Sequence, residues 1–165
     1  PYGIGSALAR RRGADIAKVG RRFHVQRMDE GSERDRETTQ PALRAELFVR
    51  DVQRSVAFYR DVLGFEVLRE APGGYVSIGR EGAVLGLSAA SQLPADHPVR
   101  PEPGQRAGLG VELVVVVEDV AASHARAVAS GPPGITALVE QPWGLTDFRV
   151  LDPDGFYVRI TGRSA

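Results

Sequence analysis

The chain has no cysteine among its 165 residues. That single absence removes a disulfide framework, a thiolate metal site and a cysteine nucleophile. Histidine is scarce, with only His24, His97 and His124, which leaves imidazole metal chemistry little to draw on. Net charge is lacking as well, because 21 Lys and Arg balance 21 Asp and Glu. A general nucleic-acid binder needs a basic excess to displace counterions from phosphates, so no nucleic-acid partner is expected. The longest apolar runs are far too short to cross a bilayer, and no stretch joins a basic start, an apolar middle and a small-residue cleavage site. The expectation is a cytoplasmic protein with no membrane partner.

What is present falls into two zones. Residues 1–40 carry nine Arg or Lys and six Asp or Glu, and the run Asp29 to Gln40 has no apolar residue. This zone reads as an extension, weakly structured or partly helical. Ala7, Leu8, Ile16 and Val19 suggest a short basic helix, interrupted by Gly13. The opening Gly3-Ile4-Gly5 has no strand before it and no βαβ unit after it, so it reads as an accidental Gly-x-Gly rather than a phosphate-binding turn.

From residue 42 the patterning becomes dense. Ala45, Leu47 and Val49 alternate with Arg44, Glu46 and Phe48, the two-residue period of a strand. Asp51 then caps a predicted helix bearing Val52, Val56, Tyr59 and Leu63, stopped at Gly64. Strands are predicted at Phe65 to Glu70, Tyr75 to Gly79 and Ala83 to Leu87. Residues 88–107 hold four prolines and read as a loop. The order then restarts: a strand Val111 to Val117, a helix capped by Asp119 and ended by Gly131, and strands at Ile135 to Glu140, Asp147 to Asp152 and Phe156 to Thr161. On the second helix, Val120, Ala127 and Val128 are expected on one side. Val49, Asp51, Val52 and Ser55 recur as Val117, Asp119, Val120 and Ser123, each 68 residues later, which marks an internal repeat.

The segments VRDVQRSVAFYRDVLGFEV, VEDVAASHARAVASG and QPWGLTDFRVLDPDGFYVRI resemble the vicinal-oxygen-chelate superfamily of glyoxalases, bleomycin-resistance proteins and dioxygenases. The resemblance covers roughly three quarters of the chain, residues 41–165, as module one (42–88) and module two (108–162). It implies an α+β fold of two tandem βαβββ modules, whose mixed sheets curl into a U-shaped cup with helices on the outer face. It also implies a homodimer.

In metal-using members, a His lies seven residues before each helix-capping Asp, and two further donors sit on the last strand of each module. The resemblance places Arg44, Gly86, Glu112 and Arg159 at those four positions. Zinc, iron and manganese need several N or O donors, and this set supplies one carboxylate beside two guanidinium groups. Neither a metal nor any other cofactor is expected, and no residue is assigned a catalytic role.

Strand alternation assigns faces without help from the family. If Ala45, Leu47 and Val49 meet the helix, then Arg44, Glu46 and Phe48 face the cup. By the same rule Phe156, Val158 and Ile160 go to the core, while Tyr157, Arg159 and Thr161 face the cup. Pairs of Arg44 with Glu112 and of Arg159 with Glu46 would neutralise charge there. Tyr75, Trp143, Phe48 and Tyr157 would supply flat walls for a ligand. The candidate ligand-binding set is therefore Arg44, Glu46, Phe48, Tyr75, Glu112, Trp143, Tyr157 and Arg159.

The function expected from these residues is sequestration of a small molecule, an antibiotic or other natural product, without metal. The alternative is a glyoxalase-like lyase or isomerase acting on a small carbonyl compound. That chemistry needs a carboxylate able to take up a proton near neutrality, and flanking arginines favour the charged form instead.

Overall fold

A computed structural model describes residues 43–163. The expected extension, with its short basic helix and its Gly-x-Gly, lies outside the described residues. The first module runs β1 (Ala45–Val49), α1 (Val52–Asp61), β2 (Glu66–Ala71), β3 (Tyr75–Arg80) and β4 (Ala83–Ala89). The second runs β5 (Glu112–Val117), α2 (Val120–Ser130), β6 (Val139–Glu140), β7 (Thr146–Leu151) and β8 (Tyr157–Gly162). Each forms a four-stranded mixed sheet, ordered β1-β4-β3-β2 and β5-β8-β7-β6. In each, the first strand lies parallel to the last while the other pairs are antiparallel. This is the expected α+β pair of βαβββ modules.

Both helices start as the sequence predicts. The Asp51 carboxylate accepts from the Arg54 amide at 3.1 Å, and Asp119 accepts from the Ala122 amide at 2.8 Å. Each cap occupies one of the amides that the first helical turn leaves unpaired. Gly64 and Gly131 take the left-handed conformation, at φ of 70° and 71°, that lets the chain leave each helix.

The alternation seen in the sequence sends one set of residues from every long strand but β2 into a common core. Leu47 and Val49 of β1, Val76 and Ile78 of β3, and Leu85 and Leu87 of β4 join Val115 and Val117 of β5, Phe148 and Val150 of β7, and Val158 and Ile160 of β8. Tyr59, Val56 and Ala127 from the helices close it. Burying an aliphatic or aromatic side chain of this size contributes roughly 1.5–3 kcal/mol. Val128 departs from expectation, being 55% exposed beside a fully buried Ala127. Consecutive helical residues point about 100° apart, and the stripe that α2 buries, through Ser123 and Ala127, is too narrow to take in Val128.

A polar latch joins the modules beside this core. Tyr59 of α1 donates its hydroxyl hydrogen bond to Asp152 in the β7–β8 turn at 3.2 Å. The other oxygen of Asp152 accepts from the amides of Asp154, Gly155 and Phe156 at 2.9, 2.8 and 2.8 Å. Asp154 in turn accepts from the Arg50 amide at 3.0 Å and from its Nε at 2.7 Å. The Asp152-Pro153-Asp154-Gly155 turn thus fixes the last hairpin and also pins α1 to it. Burial raises the Asp152 carboxyl above its ordinary range, although its backbone donors pull the other way. Burial, reinforced by the nearby Asp152 charge, holds the Tyr59 phenol well above its ordinary value.

Most strand ends shift by one residue, and three elements differ from the sequence reading by more. β6 is only Val139–Glu140, not Ile135 to Glu140. Thr136 explains the loss: its Oγ1 accepts from the Arg149 amide at 2.9 Å, taking the place of a backbone carbonyl in the ladder. β4 extends to Ala89 because Phe48 and Val49 of β1 pair with Ser88 and Ala89. A short 3-10 helix, Ala90–Gln92, follows within the expected loop.

Candidate functional site

The registers show which side chains share the face opposite the core. On the first sheet Glu46 is the partner of Gly86 and Phe48 of Ser88, while Gly86 also pairs with Ser77. Ser88 donates to the Glu46 carboxylate at 2.9 Å. The ring of Tyr75 lies across Gly86, so close that a side chain at residue 86 would have to displace it. Its hydroxyl is buried and has no hydrogen-bond partner among the described residues.

The segment between the modules passes over Glu46 and Phe48. It is built of successive turns, with Arg100 donating from its amide to His97 and from its guanidinium to the Leu93 carbonyl. Its far end is fastened to the β7–β8 turn by Ala107, whose amide donates to Asp154 at 3.0 Å, and by Arg106, whose Nε donates to the Gly155 carbonyl at 2.6 Å. The His97 ring stands 6.4 Å from that of Phe48. Between segment and sheet lies a cavity of about 370 Å³, lined in part by Glu46, Phe48, Pro98, Val99, Leu109 and Phe156. That size falls within the usual range for small-molecule sites.

The second sheet carries charge instead. Glu112 and Val114 of β5 are partners of Tyr157 and Arg159 of β8, and Arg159 faces Arg149 of β7. Arg159 and Arg149 reach Glu112 at 3.3 and 3.4 Å. Both also approach Asp147, which is fully buried, at 3.8 and 2.9 Å. Gln141 donates to Asp147 at 2.8 Å.

The eight sequence candidates therefore separate. Glu46 and Phe48 line the cavity, and Tyr75 lies beside them over Gly86. Glu112 and Arg159 meet in the charged cluster, with Tyr157 next to Glu112. Arg44 is exposed ahead of β1 and takes part in no ion pair among the described residues. Trp143 is 56% exposed on the turn that Gly144 closes back to Gln141, and it does not line the cavity. The pairs Arg44 with Glu112 and Arg159 with Glu46 are not formed. Glu112 has a nearer arginine on its own sheet, and Glu46 is met by Ser88.

Asp147 and Arg149 were missed, although Phe148 and Val150 alternate with them in the phase that sends those two inward. Phe156 was assigned to the core. It packs against that core part-buried, one residue ahead of β8, and its ring also lines the cavity beside Gly108.

A profile of the Glyoxalase/Bleomycin resistance protein/Dioxygenase superfamily matches residues 42–160. The chain belongs to that superfamily. No curated protein matches it. Among solved structures it is similar to TioX from Micromonospora sp. ML1, at 24% identity over 76% of this chain and 98% of that one, with a TM-score of 0.58. It is similar to lactoylglutathione lyase from Agrobacterium tumefaciens, at 25% identity over 74% and 94%, with a TM-score of 0.54. It is also similar to a bleomycin-binding protein complexed with bleomycin, at 24% identity over 76% and 100%, with a TM-score of 0.55.

The superfamily's metal site does not fit these residues. Gly86 offers no donor and its place is filled by the Tyr75 ring; Arg44 and Arg159 are cations; Glu112 is engaged by two arginines. Among the described residues no three His, Asp or Glu side chains are placed to hold a metal ion. No helix among them is long and apolar enough to cross a membrane.

Proposed function

We propose that this protein binds a small organic molecule without the help of a metal, holding an antibiotic or other natural product against the polar faces of its sheets. The observation that carries the reading is the substitution at the Gly86 position, where an aromatic ring whose hydroxyl has no partner among the described residues lies over the place at which metal-using relatives have a donor. Phe48 and Phe156 add flat walls to the adjoining cavity. The proposed ligand-contacting set is the candidate set of eight, with Phe156 added.

The lyase or isomerase alternative is less well supported. Glu46 accepts from Ser88, and Glu112 lies between two guanidinium groups, so neither carboxylate is placed as a free base.

A homodimer and cytoplasmic residence belong to the same reading. β2 is a sheet edge whose Val67 and Leu68 are 41% and 56% exposed, a surface that a second copy would cover.

The test is elemental analysis of the purified full chain together with a thermal-shift screen of natural-product antibiotics. A ligand that binds the native state raises the melting temperature. A metal-free protein stabilised by members of the panel supports the reading, and stoichiometric, tightly bound transition metal overturns it. Sedimentation decides the dimer.

A further inference from the structure

Arg149 and Arg159 are direct partners across β7 and β8, so two guanidinium groups stand side by side on one sheet face. Like charges in that relation repel, and the sheet tolerates them only if anions bridge them. Two carboxylates do so, in different ways. Asp147 is fully buried and is held by Gln141 at 2.8 Å and by Arg149 at 2.9 Å. Glu112 keeps a third of its side chain exposed and meets the two arginines only at 3.4 and 3.3 Å. Good charge-assisted hydrogen bonds are about 2.7–2.9 Å long.

The arginine pair is also incompletely used. Among the described residues, Arg159 Nε is buried without a hydrogen-bond acceptor and Asp147 Oδ2 without a donor. Beside the cluster, on the same face by register, Val114, Val116 and Leu151 are 45%, 41% and 38% exposed. The face therefore combines a two-pronged cation site, a loosely held resident anion and an adjacent apolar surface.

We propose that the Arg149–Arg159 pair is the recognition point for a small molecule bearing a carboxylate on an apolar body, and that Glu112 holds its place until the ligand's carboxylate displaces it. The inference rests on the small-molecule reading above and adds the charge class of the ligand. Asp147 remains beneath as the fixed counterion, so displacing Glu112 exchanges one carboxylate for another at constant charge. The guanidinium forks match a planar carboxylate, and the apolar body lies along Val114 and Val116 of β5. A cationic ligand is disfavoured, because reaching Glu112 would bring it against both arginines.

The experiment is calorimetric titration of the full chain with 1-naphthylacetate and with its uncharged amide, 1-naphthylacetamide. It is run on the unaltered protein and on the Glu112→Gln and Arg159→Lys variants. The carboxylate is expected to bind several-fold tighter than the amide. In Glu112→Gln, where the resident anion is gone, that preference grows by about tenfold, the scale of one to two exposed charge pairs. In Arg159→Lys, which keeps the charge but loses the fork, the preference shrinks. Equal binding of the two probes, or a preference that Glu112→Gln leaves unchanged, overturns the inference while leaving the small-molecule reading intact. Failure of both probes on every protein also overturns it. The small-molecule reading is decided separately by the antibiotic panel and the metal analysis.

Discussion

The ring of Tyr75 rests on the bare backbone of Gly86: a Cβ at residue 86 would stand 2.9 Å from both Cε2 and the hydroxyl oxygen of Tyr75. Gly86→Ala is therefore expected to cost about 1–3 kcal/mol by overpacking. In a Tyr75→Ala background the same change becomes neutral or stabilising, since alanine suits a strand interior better than glycine once the ring is gone. Urea denaturation of the double-mutant cycle measures the coupling.

Tyr75→Phe removes a buried hydroxyl that has no partner among the described residues. Leaving such a group unpaired costs about 1–3 kcal/mol, so the phenylalanine variant is expected to be at least 1 kcal/mol more stable without ligand. Its melting temperature should rise while its affinity for antibiotic-panel hits falls.

The two carboxylates that bridge Arg149 and Arg159 should differ sharply on removal. Asp147→Asn takes the charge from a fully buried group facing both arginines and is expected to cost about 3 kcal/mol. Glu112→Gln, at a part-exposed residue with longer contacts, should cost under about 1 kcal/mol. Denaturant titration of the two variants tests the ranking.

The latch between the modules predicts a signed dependence on pH. Tyr59 binds its proton more tightly in the folded state than in the unfolded chain. Above about pH 10 the unfolded phenol ionises while the folded one does not. The unfolded state then holds fewer protons, and stability falls as pH rises, by about 1.4 kcal/mol per pH unit for this group. Tyr59→Phe should flatten the alkaline limb, although it loses a hydrogen bond. Asp152, also raised, has the same sign lower on the scale. Its contribution is fully present below the ordinary carboxylate range and declines as pH climbs through the raised folded value. Asp152→Asn keeps an acceptor for the three amides and should cost under about 1 kcal/mol at neutrality. Asp152→Ala strands those amides and should cost about 3 kcal/mol.

The fold was legible because its signals are local and repeated. Asp51 and Asp119 mark helix starts by chemistry confined to one turn, and the alternation of Ala45 to Val49 settles which face is buried without knowledge of the partner strand. The site was legible only in part. Glu46 and Phe48 follow from strand phase alone, and both line the cavity. The choice of ion partners was not legible, because it depends on which strand lies beside β8, and β7 brings Arg149 and Asp147 where Arg44 and Glu46 were expected. The path of the segment over Phe48 is set by anchors such as Ala107 to Asp154, 47 residues apart, a separation no local pattern reports.

The repeat has also diverged where its halves meet. Arg50 grips Asp154 of the second module, whereas the residue 68 positions on from Arg50 is Glu118. Ser55 likewise meets that acid, while its counterpart Ser123 meets the base Arg80. A chain assembled from the second half twice would set an acid against Asp154. The two halves have diverged in their side chains while one backbone contact recurs, since the Glu118 amide donates to Glu81 as the Arg50 amide does to Asp154.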